Sequence, residues 1–552
     1  MKAQNDKVKS VMKLFEHSFK ENWDRPALSN FGGETMTYGD LSRRIAWLHL
    51  LFKESGISKG DKIAICGRNQ VNWAVSFLAT LTYGAVPVPI LHEFKPTNIQ
   101  HLVNHSDSKL LFIAPQQWDS ISELEFRKLE GVLSLTGFQI LQATNSKFSR
   151  IRSELDARFD RKYPYGFTRD DLSFRTDSPS ELALINYTSG TSGFSKGVMI
   201  PYRAIYSNIL FAAAVEPHMN NTSRMLSILP SAHMFGMMYE LLFEMSIGAH
   251  VYFLLKPPSP RIMISALQDI RPDVVVSVPM VIEKIYKKEI APAFDKGLKR
   301  IFLRIPLIDR VLEKRVRQAL VRILGGSFKE VIVGGAPFNK EAEAFLHRID
   351  FPFTVGYGMT ECAPIITYVS CEERKLHSCG RVAPRMNLKI DSKDPYNVPG
   401  EILVKGDNLF TGYYKNEKDT KAAFTKDGWF RTGDMGVIDD EGYLYLKGRC
   451  KSMILGPSGQ NIYPEEIENI LNNISYVAES LVIDDNGRLV GLVYPDFSRM
   501  GESDIDQVSA DILKAANEEL PKYCQLASVE IVPEEFDKTP KHSIKRYLYQ
   551  RG

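Results

Sequence analysis

The chain has 552 residues, of which 44% are hydrophobic and 24% are charged, and its formal net charge is +3. This length predicts more than one domain and a large hydrophobic core. The mild charge, without a dense Lys/Arg run, argues against a nucleic-acid-binding protein. The six cysteines form no C-x-x-C pair, which argues against a zinc ribbon and favours reduced thiols in a cytoplasmic protein.

In the first two thirds of the chain, helical patterns alternate with short apolar runs. Thr37-Tyr38-Gly39-Asp40 predicts the start of a helix, whose apolar positions recur at helical spacing until Gly56. Short, mainly apolar runs predict strands that are buried on both faces, as in a parallel sheet covered by helices. These runs lie at 62–66, 109–114, 273–278 and 330–333.

The uncharged stretch 71–91 is nearly as long as a membrane span, which needs about 20 apolar residues. Its second half contains Gly84, Pro87 and Pro89, which do not suit one continuous helix. The stretch is therefore predicted to be a buried helix followed by a buried strand.

After about residue 390 the pattern changes to hairpin strands with short helices. Pro464 predicts a helix start, because proline is well tolerated at the first helical position. Asp485-Asn486-Gly487 predicts a type I′ turn between two strands, and another helix is expected at 504–519. The fold class is therefore α/β: a large N-terminal domain of parallel and mixed sheets covered by helices, with a β-rich subdomain, and a small mobile C-terminal α+β domain.

The stretch 187–197 reads Y-T-S-G-T-S-G-F-S-K-G and is flanked by the apolar segments 182–185 and 198–200, which predict a hairpin. Glycines allow backbone N–H groups to converge on an anion, and the hydroxyl groups and Lys196 add donors and positive charge, so phosphate binding is one interpretation. A flexible polar surface loop is the other. It is not a Walker A loop, because Ser195 precedes the lysine and a strand follows it.

Three further motifs follow in order: G-Y-G-M-T-E at 356–361, W-F-R-T-G-D at 429–434 and G-R-C-K at 448–451. With the glycine loop they resemble the adenylate-forming superfamily of acyl-CoA synthetases, luciferases and peptide-synthetase adenylation domains, and most closely bacterial long-chain fatty acyl-CoA synthetases. The resemblance extends from Tyr38 to the last residues. It implies that a carboxylic acid is activated by ATP to an acyl-adenylate and then transferred to a thiol, usually of coenzyme A.

The resemblance assigns the glycine loop to the β- and γ-phosphates of ATP. Ser192 stands where threonine is more usual and Ser195 where proline is more usual, and neither change removes a donor. The loop residues implied are Thr188, Ser189, Gly190, Thr191, Ser192, Gly193 and Lys196.

The resemblance also assigns the other nucleotide contacts. Thr360 is implied to donate to the α-phosphate and Glu361 to bind Mg²⁺, which prefers oxygen ligands. Tyr357 is implied to lie against the adenine. Asp434 is implied to accept hydrogen bonds from the ribose hydroxyls, and Arg449 to lie near the ribose and phosphate.

Two further positions are carried over from the family. Gly335, Ala336 and Pro337 resemble the loop on the adenine side of the site. His233, within L-P-S-A-H-M-F-G, matches a position near the substrate carboxylate, although a lone histidine in an apolar stretch is more often part of the core.

Lys451 matches the hinge about which the small domain rotates between the two half-reactions. The resemblance therefore implies a domain of residues 1–450 that binds AMP and the acyl group, and a lid domain of residues 451–552. The segment 453–462 resembles the glycine loop that swings in for thioester formation.

The C-terminus departs from the family pattern for the adenylation lysine. The segment 538–546 reads K-T-P-K-H-S-I-K-R, and Ser543 stands where the lysine belongs. Lys541 and Lys545 flank it, and side chains two apart share a face in extended backbone, so both are candidates. Lys541 is preferred, because Lys545 matches a later position of the motif.

The region 229–255 is rich in apolar and aromatic residues, which predicts either an acid-binding pocket or ordinary core packing. Its pattern resembles long- and medium-chain fatty acyl-CoA synthetases. The predicted activity is an acid–thiol ligase for a long-chain fatty acid, with ATP, Mg²⁺ and coenzyme A. The alternatives are a fatty acyl-AMP ligase serving a carrier protein, an aryl-acid ligase, or a degenerate homologue that binds without turnover.

The basic segment 286–325 has two open interpretations. In the first, the segment binds an anionic group, either lipid at a membrane surface or the phosphates of CoA. In the second, it is the solvated side of two helices. Peripheral membrane contact is therefore left open. The oligomeric state is open as well, and nucleic acid is not an expected partner.

Overall fold

The computed structural model describes residues 10–188, 196–255, 260–285, 306–455, 461–474, 476–497, 505–539 and 543–551. These residues form an α/β protein in which several sheets and their helices are followed by a β-rich region and a C-terminal α+β unit. The predicted fold class is confirmed.

The first sheet has five strands, and the four at one side of its order run parallel. The helix Val71–Tyr83 is buried and leads into the buried strand Val86–Ile90, so the uncharged stretch 71–91 is internal, as predicted. Within the described ranges, no helix is long and apolar enough to cross a bilayer. In spatial order the strands are Val86–Ile90, Lys62–Cys66, Ser108–Ile113, Gly131–Ser134 and Ile140–Ala143.

The helix Tyr38–Glu54 begins where the sequence predicted it. The Thr37 hydroxyl accepts a hydrogen bond from the Asp40 amide, and the Asp40 carboxylate accepts one from the Thr37 amide, which satisfies two backbone donors at the helix start. Gly56 follows the helix end with a φ of +81°. The other helices of this region are Val11–Glu21, Pro96–His105, Pro115–Asp119, Ser146–Ser153 and Leu155–Lys162.

Two further sheets occupy the centre of the N-terminal part. The three parallel strands Val274–Ser277, Glu330–Val333 and Phe353–Val355 pair in that order, and Val274 lies opposite Glu330. The four-stranded sheet has the order Arg224–Ser227, His250–Phe253, Pro26–Asn30 and Thr35–Thr37. The helices here are Tyr202–Val215, Met234–Met237, the π-helical turn Met238–Leu242, Phe243–Ile247, Pro260–Ile270, Pro279–Ile285, Pro306–Ile323 and Lys340–Arg348.

The strands Leu182–Thr188 and Lys196–Pro201 pair antiparallel, with Thr188 opposite Lys196, so the predicted hairpin is confirmed. The connecting residues 189–195 lie outside the described residues. The short strand Gly412–Tyr413 pairs with the second strand of the hairpin.

The β-rich region contains a three-stranded and a four-stranded antiparallel sheet. Their strands are Tyr357–Gly358, Ile365–Tyr368 and Arg381–Val382, and Met386–Asp391, Gly400–Gly406, Phe430–Ile438 and Leu444–Arg449. In the chain, the helix Glu417–Ala422 lies between the strands Gly400–Gly406 and Phe430–Ile438. Single turns of 3-10 helix occur at Arg169–Asp171 and Thr360–Cys362.

The C-terminal unit has its own hydrophobic cores, formed by buried side chains between residues 462 and 536. Asn486 and Gly487 both have positive φ between the strands Val477–Asp485 and Arg488–Pro495, which confirms the type I′ turn. The boundary at Lys451 stays a prediction. The remaining elements are Ile454–Leu455, Asn461–Ile462, Pro464–Asn473, Ile505–Glu519, Lys522–Cys524, Ser528–Ile531 and Arg546–Leu548.

Candidate active site

A cavity of about 650 Å³ lies where the hairpin, the three parallel strands and the β-rich region meet. The strands Val274–Ser277 and Glu330–Val333 form one wall, and loops at their carboxyl ends form the mouth, as expected for a ligand site of a parallel sheet. Seven of the residues assigned to ATP from the sequence line this cavity: Thr188, Lys196, Gly335, Tyr357, Thr360, Glu361 and Arg449. His233, assigned to the substrate carboxylate, and Lys451, assigned to the hinge, line it as well, whereas Asp434 does not.

The end of the hairpin brings one positive charge, that of Lys196, to the cavity. Thr188 and Lys196 lie at the two ends of the predicted phosphate loop, while Ser189, Gly190, Thr191, Ser192 and Gly193 lie outside the described residues. Lys196 Nζ is 2.6 Å from Asp419 Oδ2 and 4.9 Å from the ring centre of Tyr413. The hydrogen bond from Lys196 lowers the pKa of Asp419, so the two groups form an ion pair at the cavity wall.

Thr360 and Glu361 form a single turn of 3-10 helix, and both are buried at the cavity wall. Tyr413 donates its hydroxyl to Glu361 Oε1 at 3.0 Å, which holds the carboxylate in one orientation. Tyr413 thus contacts both the predicted metal ligand and Lys196. Sequence reasoning missed Tyr413 and Asp419, which lie more than 200 residues from Lys196 in the chain.

Asp434 and Arg449 face each other across neighbouring antiparallel strands. Arg449 Nη1 is 2.8 Å from Asp434 Oδ1, and the Tyr357 hydroxyl donates to Asp434 Oδ2 at 2.6 Å. Asp434 is 8% exposed, and its burial raises its pKa more than Arg449 and Tyr357 lower it. Tyr357, assigned to the adenine from the sequence, therefore also positions the carboxylate assigned to the ribose.

The loop after the strand Glu330–Val333 comes close to the aromatic wall. A Cβ on Gly334 would lie 3.2 Å from the Phe235 ring, and Gly335 has a φ of +88°, which favours glycine. Gly335 lines the cavity, whereas Ala336 and Pro337 are exposed and do not line it.

His233 is the N-cap residue of the short helix Met234–Met237 and lines the cavity. Its Nδ1 accepts a hydrogen bond from the Phe235 amide at 3.3 Å. In the neutral ring this places the proton on Nε2. The structure therefore places His233 at the cavity rather than in the core.

The apolar region 229–255 divides between the two predicted roles. Met234, Phe235, Tyr239 and Phe243 line the cavity, whereas Met237, Met238, Leu241 and Met245 pack in the core. Two glutamates in this region escaped sequence reasoning. The signal was present, because Glu240 and Glu244 stand four residues apart in an otherwise apolar stretch.

Among the described residues of the C-terminal unit, contact with the cavity is confined to its first residue. Lys451 lines it, and no described residue beyond Lys451 does. Lys541, the preferred adenylation lysine, lies outside the described residues. Lys538 bridges antiparallel to Ile544, so the chain reverses direction between these two residues instead of running straight, and Lys545 Nζ lies 4.0 Å from Asp537 Oδ1.

The basic segment is described only in part. In the helix Pro306–Ile323, Lys314 and Arg315 are exposed, and Arg317 pairs with Asp350 at 2.9 Å. These contacts agree with a solvated helix face for this part of the segment.

Comparison with known proteins gives matches over most of the chain. A long-chain-fatty-acid–CoA ligase of Mycobacterium bovis is 27% identical over 79% of this chain and 73% of that protein. A long-chain-fatty-acid–CoA ligase of Salmonella typhimurium is 26% identical over 86% of this chain and 82% of that protein. The ATP-bound crystal structure of MatB from Rhodopseudomonas palustris superposes with a TM-score of 0.76 at 22% identity, covering 97% of this chain and 98% of that one, which shows the shared fold.

The family predicted from the motifs is confirmed by a family model. Residues 15–414 match the family described as AMP-binding enzyme, which is more than half of the chain. The protein belongs to the AMP-binding enzyme family.

Proposed function

We propose that this protein activates a fatty acid with ATP, releases pyrophosphate, and transfers the acyl group to coenzyme A. The observation that carries the proposal is the cavity, because one compartment joins Lys196, Thr360 and Glu361 to a wall that is mainly apolar. Such a cavity suits an acid with a long apolar chain next to a nucleotide. The two fatty-acid ligases named above support this substrate class.

In the first half-reaction a carboxylate oxygen of the acid attacks the α-phosphorus of ATP, the bond to the bridging oxygen breaks, and pyrophosphate leaves. Thr360 is proposed to donate to the α-phosphate. Lys196 is proposed to exchange Asp419 for the leaving phosphates. Donors held in place before reaction stabilise the negative charge that accumulates on these oxygens.

The ribose is proposed to bind at the Asp434 carboxylate, which Arg449 and Tyr357 also contact. The carboxylate already accepts a hydrogen bond from Tyr357 and contacts Arg449, so its orientation is set before the nucleotide arrives. Because each carboxylate oxygen can accept more than one hydrogen bond, the ribose hydroxyls can share it with these partners.

Glu361 is the proposed Mg²⁺ ligand. Among the described residues, no three His, Cys, Asp or Glu side chains form a group that could hold a metal by themselves. That arrangement suits Mg²⁺, which usually takes one or two carboxylates and completes its shell with phosphate oxygens and water. Bound together with ATP, the ion would neutralise phosphate charge, while Tyr413 orients the Glu361 carboxylate.

In the second half-reaction the thiol sulfur of CoA attacks the acyl carbon and AMP leaves. We propose that residues 451–552 rotate as a lid about Lys451 against residues 1–450. The motivation is that the described C-terminal residues do not line the cavity, whereas Lys541 must approach the phosphate and carboxylate if it serves adenylation.

The test is pyrophosphate release and AMP formation from ATP and Mg²⁺ with fatty acids of increasing length and with benzoate, each with and without CoA. The expected result is release that requires an acid, is fastest with long chains, and continues beyond one turnover only with CoA. A single turnover whether or not CoA is present would instead indicate an acyl-AMP ligase. The absence of release with every acid, while ATP still binds, would overturn the proposed activity.

A further inference from the structure

Two acidic side chains, Glu216 and Glu244, line the cavity among mainly apolar neighbours. They lie away from Lys196, Thr360 and Glu361, which mark the nucleotide end of the cavity. Glu244 follows the π-helical turn Met238–Leu242 and is fully buried. Neither of its carboxyl oxygens has a hydrogen-bond partner in the part of the chain that the structure describes. Glu216 is also buried, and its Oε1 accepts a hydrogen bond from Tyr368 at 3.0 Å.

A fully buried carboxyl without a partner is unfavourable, so Glu244 needs a group that is absent from the described protein. Glu240, one turn before it, differs in this respect, because Ser227 and the amides of Ile228 and Leu229 donate to its carboxylate. Of these two buried glutamates on one helix, only Glu244 lines the cavity.

The electrostatic surroundings of Glu244 decide its protonation state. Burial raises its pKa well above the usual range, and the nearby acidic groups Asp273 and Glu240 raise it further. The Tyr38 hydroxyl, the other titratable group coupled to Glu244, donates to the Ala249 carbonyl and is itself neutral. Glu244 is therefore a neutral carboxyl group with one O–H donor and one carbonyl acceptor.

The charges along the cavity exclude one class of ligand at this end. Among the described residues that line it, the basic ones are Lys196, His233, Arg431, Arg449 and Lys451, and all belong to the nucleotide end or its mouth. A second carboxylate beside Glu244 and Glu216 would have no positive partner among the described residues that line this end, because the nearby His218, whose Nδ1 lies 3.4 Å from Glu216 Oε2, has a pKa lowered by burial. An ammonium group would lose its hydration among apolar side chains such as Met219 and Phe243.

We propose that the substrate is a fatty acid whose chain carries a hydroxyl group, which exchanges hydrogen bonds with the carboxyl group of Glu244. This inference rests on the proposed function and narrows its substrate class. A hydroxyl both donates and accepts one hydrogen bond, which matches a neutral carboxyl group, and its small size suits the apolar surroundings. Glu244 is thus a specificity-determining residue of the acyl-binding part of the cavity.

The position of the hydroxyl follows from the length of the wall. The strands Val274–Ser277 and Glu330–Val333 run along the cavity from the end that Glu216 and Glu244 line, where the Tyr368 hydroxyl contacts both Glu216 and Glu330, to Gly334 at the nucleotide end. Four residues of a parallel strand span roughly 10–13 Å, and an extended chain advances roughly 1.2 Å per bond. The hydroxyl is therefore expected about eight to ten bonds from the carboxylate.

The experiment compares decanoate with ω-hydroxydecanoate, ω-aminodecanoate and decanedioate in two measurements: kcat/KM for acid-dependent pyrophosphate release, and the rise in melting temperature on ligand binding. The hydroxy acid is expected to exceed decanoate by roughly tenfold or more in kcat/KM, because it satisfies a buried polar group that decanoate leaves unpaired. ω-Aminodecanoate and decanedioate are expected to have a lower kcat/KM than ω-hydroxydecanoate.

Two variants of Glu244 sharpen the test. Glu244→Leu should remove the preference for the hydroxy acid and improve kcat/KM for decanoate. Glu244→Gln should keep the preference, because an amide also offers a donor and an acceptor, and this outcome distinguishes a neutral carboxyl from a carboxylate that binds an ammonium group. Glu123→Gln, at an exposed position, is the matched control.

Equal kcat/KM for decanoate and the hydroxy acid, unchanged in Glu244→Leu, would overturn the inference while leaving the proposed function intact. The inference would also be overturned if the wild type preferred ω-aminodecanoate and the Glu244→Gln variant lost that preference. If no acid supports pyrophosphate release, the proposed function fails, and a Glu244-dependent rise in melting temperature with the hydroxy acid alone would still support the assigned ligand.

Discussion

At the residue scale, the Asp434 side chain makes two polar contacts in a buried place. Its carboxylate pairs with Arg449 and accepts a hydrogen bond from Tyr357, and it is nearly fully buried. Asp434→Ala removes the proposed ribose acceptor and leaves both partners unpaired. We expect at least about tenfold weaker ATP binding, because hydrogen bonds to a charged group contribute more than neutral ones.

Titration calorimetry with ATP measures this effect directly. Asp440→Asn, at an exposed position of the turn between the same two strands, should leave ATP affinity unchanged. A folded Asp434→Ala protein with wild-type affinity for ATP would show that the ribose binds elsewhere.

The two candidate lysines of the C-terminal segment make a second prediction. Lys541→Ala should slow adenylation by at least about a hundredfold, as expected when a group that stabilises transition-state charge is removed. It should leave thioester formation from added acyl-adenylate intact. Lys545→Ala should change either step little, because Lys545 lies 4.0 Å from Asp537 within its own unit. Single-turnover assays of each half-reaction separate the outcomes, and the reverse ranking would reassign the role to Lys545.

The buried acids predict how stability depends on pH. Burial raises the pKa of Glu240 to about 8 and, together with Glu330, raises that of Glu216 to about 9. Since the folded state holds these protons more tightly than the unfolded state, their contribution to stability should be fully present below pH 4.5 and be lost as pH rises through about 8 and about 9. Each group contributes at most about 1.4 kcal/mol per pH unit.

Glu244 should contribute in the same direction, because its pKa is also raised. Glu244→Gln keeps a neutral group at this position, so the melting temperature should decline less steeply with pH than in the wild type. Thermal unfolding measured between about pH 5 and 9 tests this, because these acids lose their protons in roughly that range. Parallel curves for the two proteins would mean that Glu244 is already ionised in the fold.

At the scale of elements, the turn that carries Thr360 and Glu361 depends on a glycine. A Cβ on Gly358 would lie 2.2 Å from the carbonyl oxygen of Pro364, so the two strands that flank the turn could not keep their separation. Gly358→Ala should therefore displace both site residues and lower kcat for pyrophosphate release by at least about tenfold, as small misplacements of catalytic groups do.

The control for this variant is Gly166→Ala. Gly166 is exposed, and its added methyl group would meet nothing within 4 Å, but its φ of +85° is strained for alanine. It should cost about 1 kcal/mol of stability without loss of activity. If Gly358→Ala instead behaves like Gly166→Ala, the turn tolerates the shift.

At the scale of the whole molecule, the described residues show three polar contacts between the helix Pro464–Asn473 and the N-terminal part. Asn339 donates to Asn473, the Lys340 amide donates to Asn469 Oδ1 at 3.4 Å, and Lys447 Nζ lies 3.3 Å from Glu466 Oε1. In this arrangement no described residue beyond Lys451 faces the cavity. The contacts therefore stabilise one position of the proposed lid.

The double variant Asn469→Ala/Asn473→Ala should shift the lid away from this position by about 1–2 kcal/mol, the contribution of two ordinary hydrogen bonds. We expect CoA-dependent turnover to slow several-fold while single-turnover pyrophosphate release persists. Asn472→Ala is the matched control, because Asn472 accepts a hydrogen bond from Ser480 within the C-terminal unit. Equal effects on both half-reactions would argue against a role of these contacts in lid movement.

The sequence by itself determined the features that depend on local chemistry. Buried strands, the capping box at Thr37, the hairpin before Lys196 and the type I′ turn at Asn486 follow from hydrophobic periodicity and from the few residues that accept special backbone angles. The order of four short motifs determined the family. These signals need no knowledge of how distant segments pack.

Only the tertiary structure decided which distant groups meet. Tyr413 and Asp419 reach Lys196 across more than 200 residues, because the short strand Gly412–Tyr413 joins the edge of the hairpin. Ala336 and Pro337 turn away from the cavity that Gly335 lines, since a loop exposes its residues to different sides. The unpaired carboxyl of Glu244 is likewise a tertiary result: whether a buried acid has a partner depends on the packing of separate elements, which no local pattern encodes.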